Sequence, residues 1–312
     1  MSPRIQTFAL GTSLLLGALV GLAPATQVEA KSQPHAVAAT YPWQNEQAFF
    51  KVKVNGAEAV HAVMRVGDVR VAKGRAYLPV SANAQSVGAF RSIADIQDRA
   101  NTFIDPLTHQ PIRSEKRFKE RALTQPVKER IYKVDYTQSE HKAKVRKTLV
   151  PKKERAYTKP IPSATHDAIS WLFDLRTVKT FKPGDKLQYF IYDGWKLSRL
   201  ELEVKGQEKI LTAMGWRKSW KFDVKREILR ARSAYKNKKR VEPKVSVQKE
   251  AVHIGSLWLT DDAQRLPAKL SMTWKVSKAL NMMAKVEVDL VRYKRSATKQ
   301  LVARPVKQPA RK

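Results

Sequence analysis

The stretch SATHDAISWLFDLRTVKTFKPGDKLQYFIYDGWKLSRLELEV, residues 163–204, joins a helix signal to a hairpin signal, and the fold reading starts there. Ser163 belongs to the residue types that N-cap helices. Ala168, Leu172 and Leu175 follow at i, i+4 and i+7, the spacing of one apolar stripe. Pro183-Gly184 closes the segment before strand-like 186–192, and Asp193-Gly194 tolerates the positive φ of a two-residue hairpin, so that 195–204 returns antiparallel.

Upstream, Phe50-Lys51-Val52-Lys53-Val54 alternates apolar and basic groups, Asn55-Gly56 supplies a second hairpin turn, and Val60, Ala62, Met64 and Val66 form the returning apolar face. Tyr132, Val134 and Tyr136 share one face of a later strand, with Lys133 and Asp135 on the other; Ala143 and Val145 repeat the pattern. Trp216, Trp220, Phe222 and Val224 alternate with polar residues, which predicts a strand with one buried face. Short strands joined by turns, without a helix between each pair, make an antiparallel meander. The expected fold is therefore mainly β: an open or partly closed antiparallel barrel with one main helix and long basic strand or loop insertions. Residues 225–249 are expected to be either strand extensions or a projecting basic loop.

Residues 1–30 have the form of a secretory signal peptide: Arg4, an apolar run over 8–22, then small residues permitting cleavage after Ala25 or Ala30. That run is shorter than the roughly twenty residues that span a bilayer. A linker over 31–45, a β-rich domain over 46–294 and a basic tail over 295–312 complete the expected organisation, with a periplasmic or secreted location after cleavage. The chain has no cysteine, which excludes a disulfide framework, a thiolate nucleophile or metal site, and a lipid-modified cysteine.

Sixty Lys and Arg against 28 Asp and Glu give a formal net charge of +32, a field that concentrates anionic partners. For an exported chain the partners to expect are an anionic lipid, lipopolysaccharide, an acidic envelope polymer or an acidic envelope protein, with peripheral membrane contact, rather than nucleic acid. A solvated, charge-protected strand surface accounts for the same lysines.

Catalytic signals are weak. His166-Asp167 adjoins Ser170, but neighbours on a helix point about 100° apart, and no Gly-x-Ser-x-Gly elbow is present. Asp167 reads as a helix-start residue, and His166 as exposed or locally hydrogen-bonded. Asp261-Asp262 reads as a turn. No histidine pair has metal-ligand spacing, and no phosphate-binding glycine loop occurs, so no catalytic residue, metal or cofactor is expected. The candidate ligand-binding residues are Trp216, Trp220, Phe222 and Trp258 on an apolar face, with Lys236, Lys238, Lys239 and Arg240 as basic contacts. Non-enzymatic binding or chaperoning of an anionic amphiphile or envelope polymer leads. Docking of an acidic partner through the basic insertions is the alternative, and an envelope hydrolase the third.

HDAISWLFDLR, the Gly184-Asp185 turn and LWLTDDAQRLPAKL at 257–270 together resemble an exported bacterial family, the domain of unknown function numbered 3108. Asp167, Ser170, Leu175, Arg176, Gly184, Asp185, Trp258, Leu259, Asp262 and Pro267 stand where the family pattern places such residues. The resemblance implies an exported, mostly antiparallel β protein without an assigned activity, over roughly Glu46 to Tyr293.

Overall fold

The computed structural model describes residues 41–122, 126–150, 153–237, 239–277 and 282–296. The expected signal peptide, the first part of the linker and the tail beyond 296 lie outside these residues. In chain order the first half comprises β1 (Glu46–Val54), β2 (Ala57–Val66), the short β3 (Arg70–Ala72), β4 (Arg75–Ser86), one helical turn α1 (Phe90–Ile93), β5 (Ala94–Ile104), β6 (Pro111–Ala122), β7 (Lys128–Thr137), β8 (Lys142–Val150) and β9 (Lys153–Pro160). The second half comprises β10 (Thr165–His166), helix α2 (Ser170–Thr177), β11 (Lys186–Tyr192), β12 (Leu197–Thr212), β13 (Gly215–Lys236), β14 (Lys239–Thr260), β15 (Pro267–Ser277) and β16 (Met282–Arg295).

All the strands except β3 lie in one continuous order, β10-β11-β12-β13-β14-β15-β16-β1-β2-β4-β5-β6-β7-β8-β9, with β3 paired on β4. The two edges, β9 and β10, are consecutive in sequence. Only residues 161–164 separate them, and a connection of that length spans at most about 18 Å, so the sheet has curled until its ends nearly meet. Among the described residues no ladder closes the gap. Side chains stitch it instead: the Tyr136 hydroxyl donates to the Tyr192 carbonyl at 2.6 Å, Tyr157 to that of Gly194 at 2.8 Å, and the Gln138 amide to that of Thr165 at 2.7 Å. The result is the open, barrel-like antiparallel meander expected from the turn signals.

Local chemistry explains the turns. Asn55 and Gly56 adopt φ of 50° and 84°, and Lys73 precedes Gly74 in the same left-handed pair, so both hairpins close with two residues. The Asp193-Gly194 turn is longer than expected. Asp193 Oδ1 accepts from the amides of Trp195 and Lys196 at 3.0 and 3.1 Å, which stabilises a four-residue connection between β11 and β12.

Helix α2 lies inside the curl. Ile169 and Phe173 pack with Leu78, Ile104 and Trp43 on one side; Trp171, Leu172 and Leu175 pack with Val60, Leu202 and Phe222 on the other. It is buried on both sides rather than along the single stripe predicted, because strands surround it. Residues 225–236 and 239–249 are strand: β13 and β14 run on as a two-stranded ribbon beyond Leu229, where pairing with β12 stops, and before Gly255, where pairing with β15 begins.

Candidate binding site in the concave face

The residues that invited a hydrolase reading start the helix. Asp167 Oδ1 accepts from the amides of Ile169 and Ser170 at 3.0 and 2.8 Å, while the Ser170 hydroxyl accepts from the Asp167 amide at 3.0 Å. This reciprocal pairing is a capping box with serine in the return position. Asp167 Oδ2 takes the Thr102 hydroxyl at 2.6 Å, which ties the helix to β5. His166 is buried, not exposed; its Nδ1 lies 3.3 Å from Ser170 Oγ, and burial lowers its pKa against the opposing charges of Asp174 and Asp167, which favours the neutral ring. Ser163 does not cap α2. It bonds Glu242 through both its amide and its hydroxyl, at 2.9 and 2.6 Å. Asp262 Oδ1 accepts from the Thr260 hydroxyl and from the amides of Gln264 and Arg265, a turn role. Among the described residues no group of three or more His, Asp and Glu is arranged to hold a metal ion.

The four aromatic residues expected on one apolar face are divided. Phe222 is fully buried and meets Phe181 edge-on at 5.0 Å, and Trp220 packs on Phe181 from the same side while its indole donates to Asp261 at 2.8 Å. Trp216, nearer the start of β13, is 68% exposed. Trp258 lies opposite Lys221 and therefore faces outward, away from Phe222, whose partner is Leu257. There it packs with Ile210 and Ala268 under the ammonium groups of Lys221 and Lys269 and bonds Glu208.

Of the basic candidates, Lys236 is exposed at the ribbon tip and Arg240 stacks on Tyr235, 5.7 Å from the ring centre. Lys238 and the side chain of Lys239 lie outside the described residues. Close to that tip, Glu242 bonds Ser163 and pairs with His141, so the outer end of the ribbon lies against the seam. These cations and the aromatic residues of β13 thus stand in separate places.

An apolar cavity of about 110 Å³ does exist, elsewhere. It lies between the N-terminal end of α2 and the inner faces of β1, β2, β4, β14 and β15, lined by Val52, Met64, Ala84, Leu172, Leu257 and Leu270 with hardly any polar surface. Sequence alternation marks each residue as core. It could not show that opposite walls fail to meet.

Beyond β5 the concave face becomes charged. Asp98 is buried; its Oδ1 accepts the Lys119 amide at 3.2 Å and its Oδ2 has no partner among the described residues. Burial first, and then the charge of Glu120, push its pKa up to about 8, while Glu120 holds Arg130 at 2.6 Å. An acid whose pKa rises on folding stabilises the fold fully below its ordinary value near 3.8, and that contribution is lost as pH climbs toward 8. Thermal unfolding of the wild type should therefore lose ground to that of Asp98→Asn between pH 4 and 8, by as much as about 1.4 kcal/mol per pH unit from this one group. Parallel Tm curves would contradict the assignment.

The profile of the family described as protein of unknown function DUF3108 matches residues 50–285. No curated protein matches the chain. Among solved structures, a β-barrel-like protein of the domain of unknown function DUF1849 from Brucella abortus is similar at 10% identity and TM-score 0.48, covering 81% of this chain and 98% of that one. A candidate lipoprotein from Parabacteroides distasonis is similar at 12% identity and TM-score 0.30, covering 80% and 95%. A candidate exported protein with a YmcC-like fold from Bacteroides fragilis is similar at 13% identity and TM-score 0.28, covering 81% and 96%.

Proposed function

The chain belongs to the DUF3108 family, and on that premise we propose that it is an exported, non-enzymatic envelope protein that binds an anionic amphiphile in the concave face of its sheet. The observation that carries this reading is the apolar cavity beneath α2, adjoining a charged stretch of the same concave face. Export rests on the signal-like residues 1–30, and attraction of the anionic head on the net charge of +32.

Size sets a condition. A cavity near 150 Å³ takes a benzene, whereas pockets for larger ligands run from about 300 Å³, so 110 Å³ accommodates a short apolar segment. A longer chain enters by parting the seam between β9 and β10, which is held by side-chain bonds and not by a strand ladder. The second reading, docking of an acidic protein, draws on the ribbon, where Tyr235 is exposed next to Lys236 at the tip and Val245 and Val247 are exposed toward the base.

Native mass spectrometry of the protein taken from its own envelope separates the two. A discrete lipid-sized adduct that survives high salt is the expected result. A bare mass, with only salt-labile association to an acidic protein that Lys236→Glu with Arg240→Glu abolishes, would sink the amphiphile reading in favour of docking.

A further inference from the structure

Across β5 to β9 the register sets Ala100, Lys116, Tyr132, Lys147 and Arg155 opposite one another, so all five side chains leave the sheet on the same side. That side is the concave one, since Ala100 and Tyr132 are buried there. Lys116 is 1% exposed, and its ammonium has no hydrogen-bond partner among the described residues. An ammonium carries three donors. Burying it unpaired costs several kcal/mol, which a methionine of similar length would avoid.

Lys116 lines a crevice with Phe118, Arg130, Tyr132, Asp193 and Trp195, and Ala168 forms its far wall. Ala168 also lines the apolar cavity beneath α2, so the two spaces adjoin at that residue. The charges facing the crevice do not cancel. Glu120 is taken by Arg130; Asp193 spends Oδ1 on two turn amides and acts electrostatically on half-buried Arg226; Asp98 is protonated at neutral pH. Lys116 is left; Lys147, on the neighbouring strand outside the crevice lining, sits with its Nζ 5.2 Å from the Tyr132 ring centre, and its pKa is lowered by burial and by the cations Arg130 and Arg155.

We propose that this crevice is an anion site, in which Lys116, flanked by Arg130 and Lys147, holds a phosphate-type head group while the attached apolar chain passes Ala168 into the cavity beneath α2. Two ammonium groups without an acidic partner among the described residues match a dianion, and Arg130 adds planar donors suited to phosphate oxygens. The enclosed volume is only about 10 Å³, so the head group enters by displacing Trp195, which is 52% exposed on the turn between β11 and β12. The assignment rests on the amphiphile reading and names the chemistry of its polar end.

Titration calorimetry of the full chain with decyl phosphate below its micelle threshold, decanol and inorganic phosphate tests both. For Lys116→Met we expect decyl phosphate affinity to fall at least tenfold, decanol affinity to stay within twofold, and Tm to hold or rise. Lys144→Met, which removes the same charge from an exposed position on β8, should change none of these. Unchanged decyl phosphate binding by Lys116→Met would overturn the anion site and leave the amphiphile reading standing. Inorganic phosphate bound as tightly as decyl phosphate would keep the anion site and overturn the amphiphile reading, and absence of binding to all three probes would overturn both. If Lys116→Met does not fold, Lys147→Met carries the comparison, and wild-type affinity there would count against the site.

Discussion

Replacing Arg176 by methionine should lower the unfolding free energy by about 3–5 kcal/mol, the usual penalty for stranding one member of a buried ion pair. Arg176 Nη2 contacts both carboxylate oxygens of Glu46 at 2.9 Å, and its Nε donates to the Gln264 carbonyl at 2.8 Å. Its guanidinium lies 4.5 Å from the centre of the Trp43 ring, and the Tyr293 hydroxyl completes the Glu46 shell at 2.8 Å. Helix α2, β1, β16 and the turn after β14 thus meet at two side chains that are 1% and 2% exposed. Burial already pushes the Glu46 pKa up, with Arg176 opposing; without the guanidinium the carboxyl must be protonated or remain charged and unpaired. At roughly 2–4 °C per kcal/mol for a chain of this size, Tm should drop by about 6–20 °C. Adding Glu46→Gln removes the stranded charge while keeping an acceptor for Tyr293, so the double variant should recover most of the loss. A single variant within about 1 kcal/mol of wild type by chemical denaturation would show that the pair does not anchor the helix.

Gly255→Ala should be at least as damaging. A β-carbon there would stand 1.9 Å from the Ser271 carbonyl oxygen and 2.8 Å from the Met272 α-carbon, backbone atoms of the adjoining strand that have no rotamer to change. Gly255 pairs with Met272 at the point where the β13–β14 register slips, so β14 and β15 would have to part where the long ribbon leaves the barrel. The expected loss exceeds about 4 kcal/mol, seen as failure to recover soluble protein. Gly206→Ala is the matched control. It too sits at a bulge with positive φ, but no atom lies within 4 Å of the added carbon, so only backbone strain of about 1–3 kcal/mol is expected. Equal soluble yields and equal Tm values for the two variants would refute the close approach.

Local pattern carried much of the fold. Asn55-Gly56 closes a hairpin because its two residues accept left-handed backbone angles wherever they stand, and Tyr132, Val134 and Tyr136 are buried together because alternate side chains leave a strand on one side. The family pattern was legible too, and its Asp-x-x-Ser element is now explained as a reciprocal cap at Asp167 and Ser170. Ser163 misled because a capping residue type is equally at home in a turn; its partner Glu242 is remote in sequence.

The antiparallel meander, the Asn55-Gly56 hairpin, the basic charge and the absence of cysteine were legible in the sequence, since each follows from residues close together or from composition, whereas the Asp193-Gly194 connection is longer than its dipeptide predicts. Tertiary structure alone decided which faces look inward and what they meet. Trp258 and Phe222 both read as apolar strand residues, but the register that sets Trp258 beside Lys221 turns one outward and the other into the core. Lys116 lies in RSEKRFKERA, where charged residues occupy both alternating sets, so no periodicity separates it from its solvated neighbours. Only the long-range curl of the sheet buries one set and brings it against the Asp193–Lys196 turn, because strand direction is a local property and closure of a sheet is not.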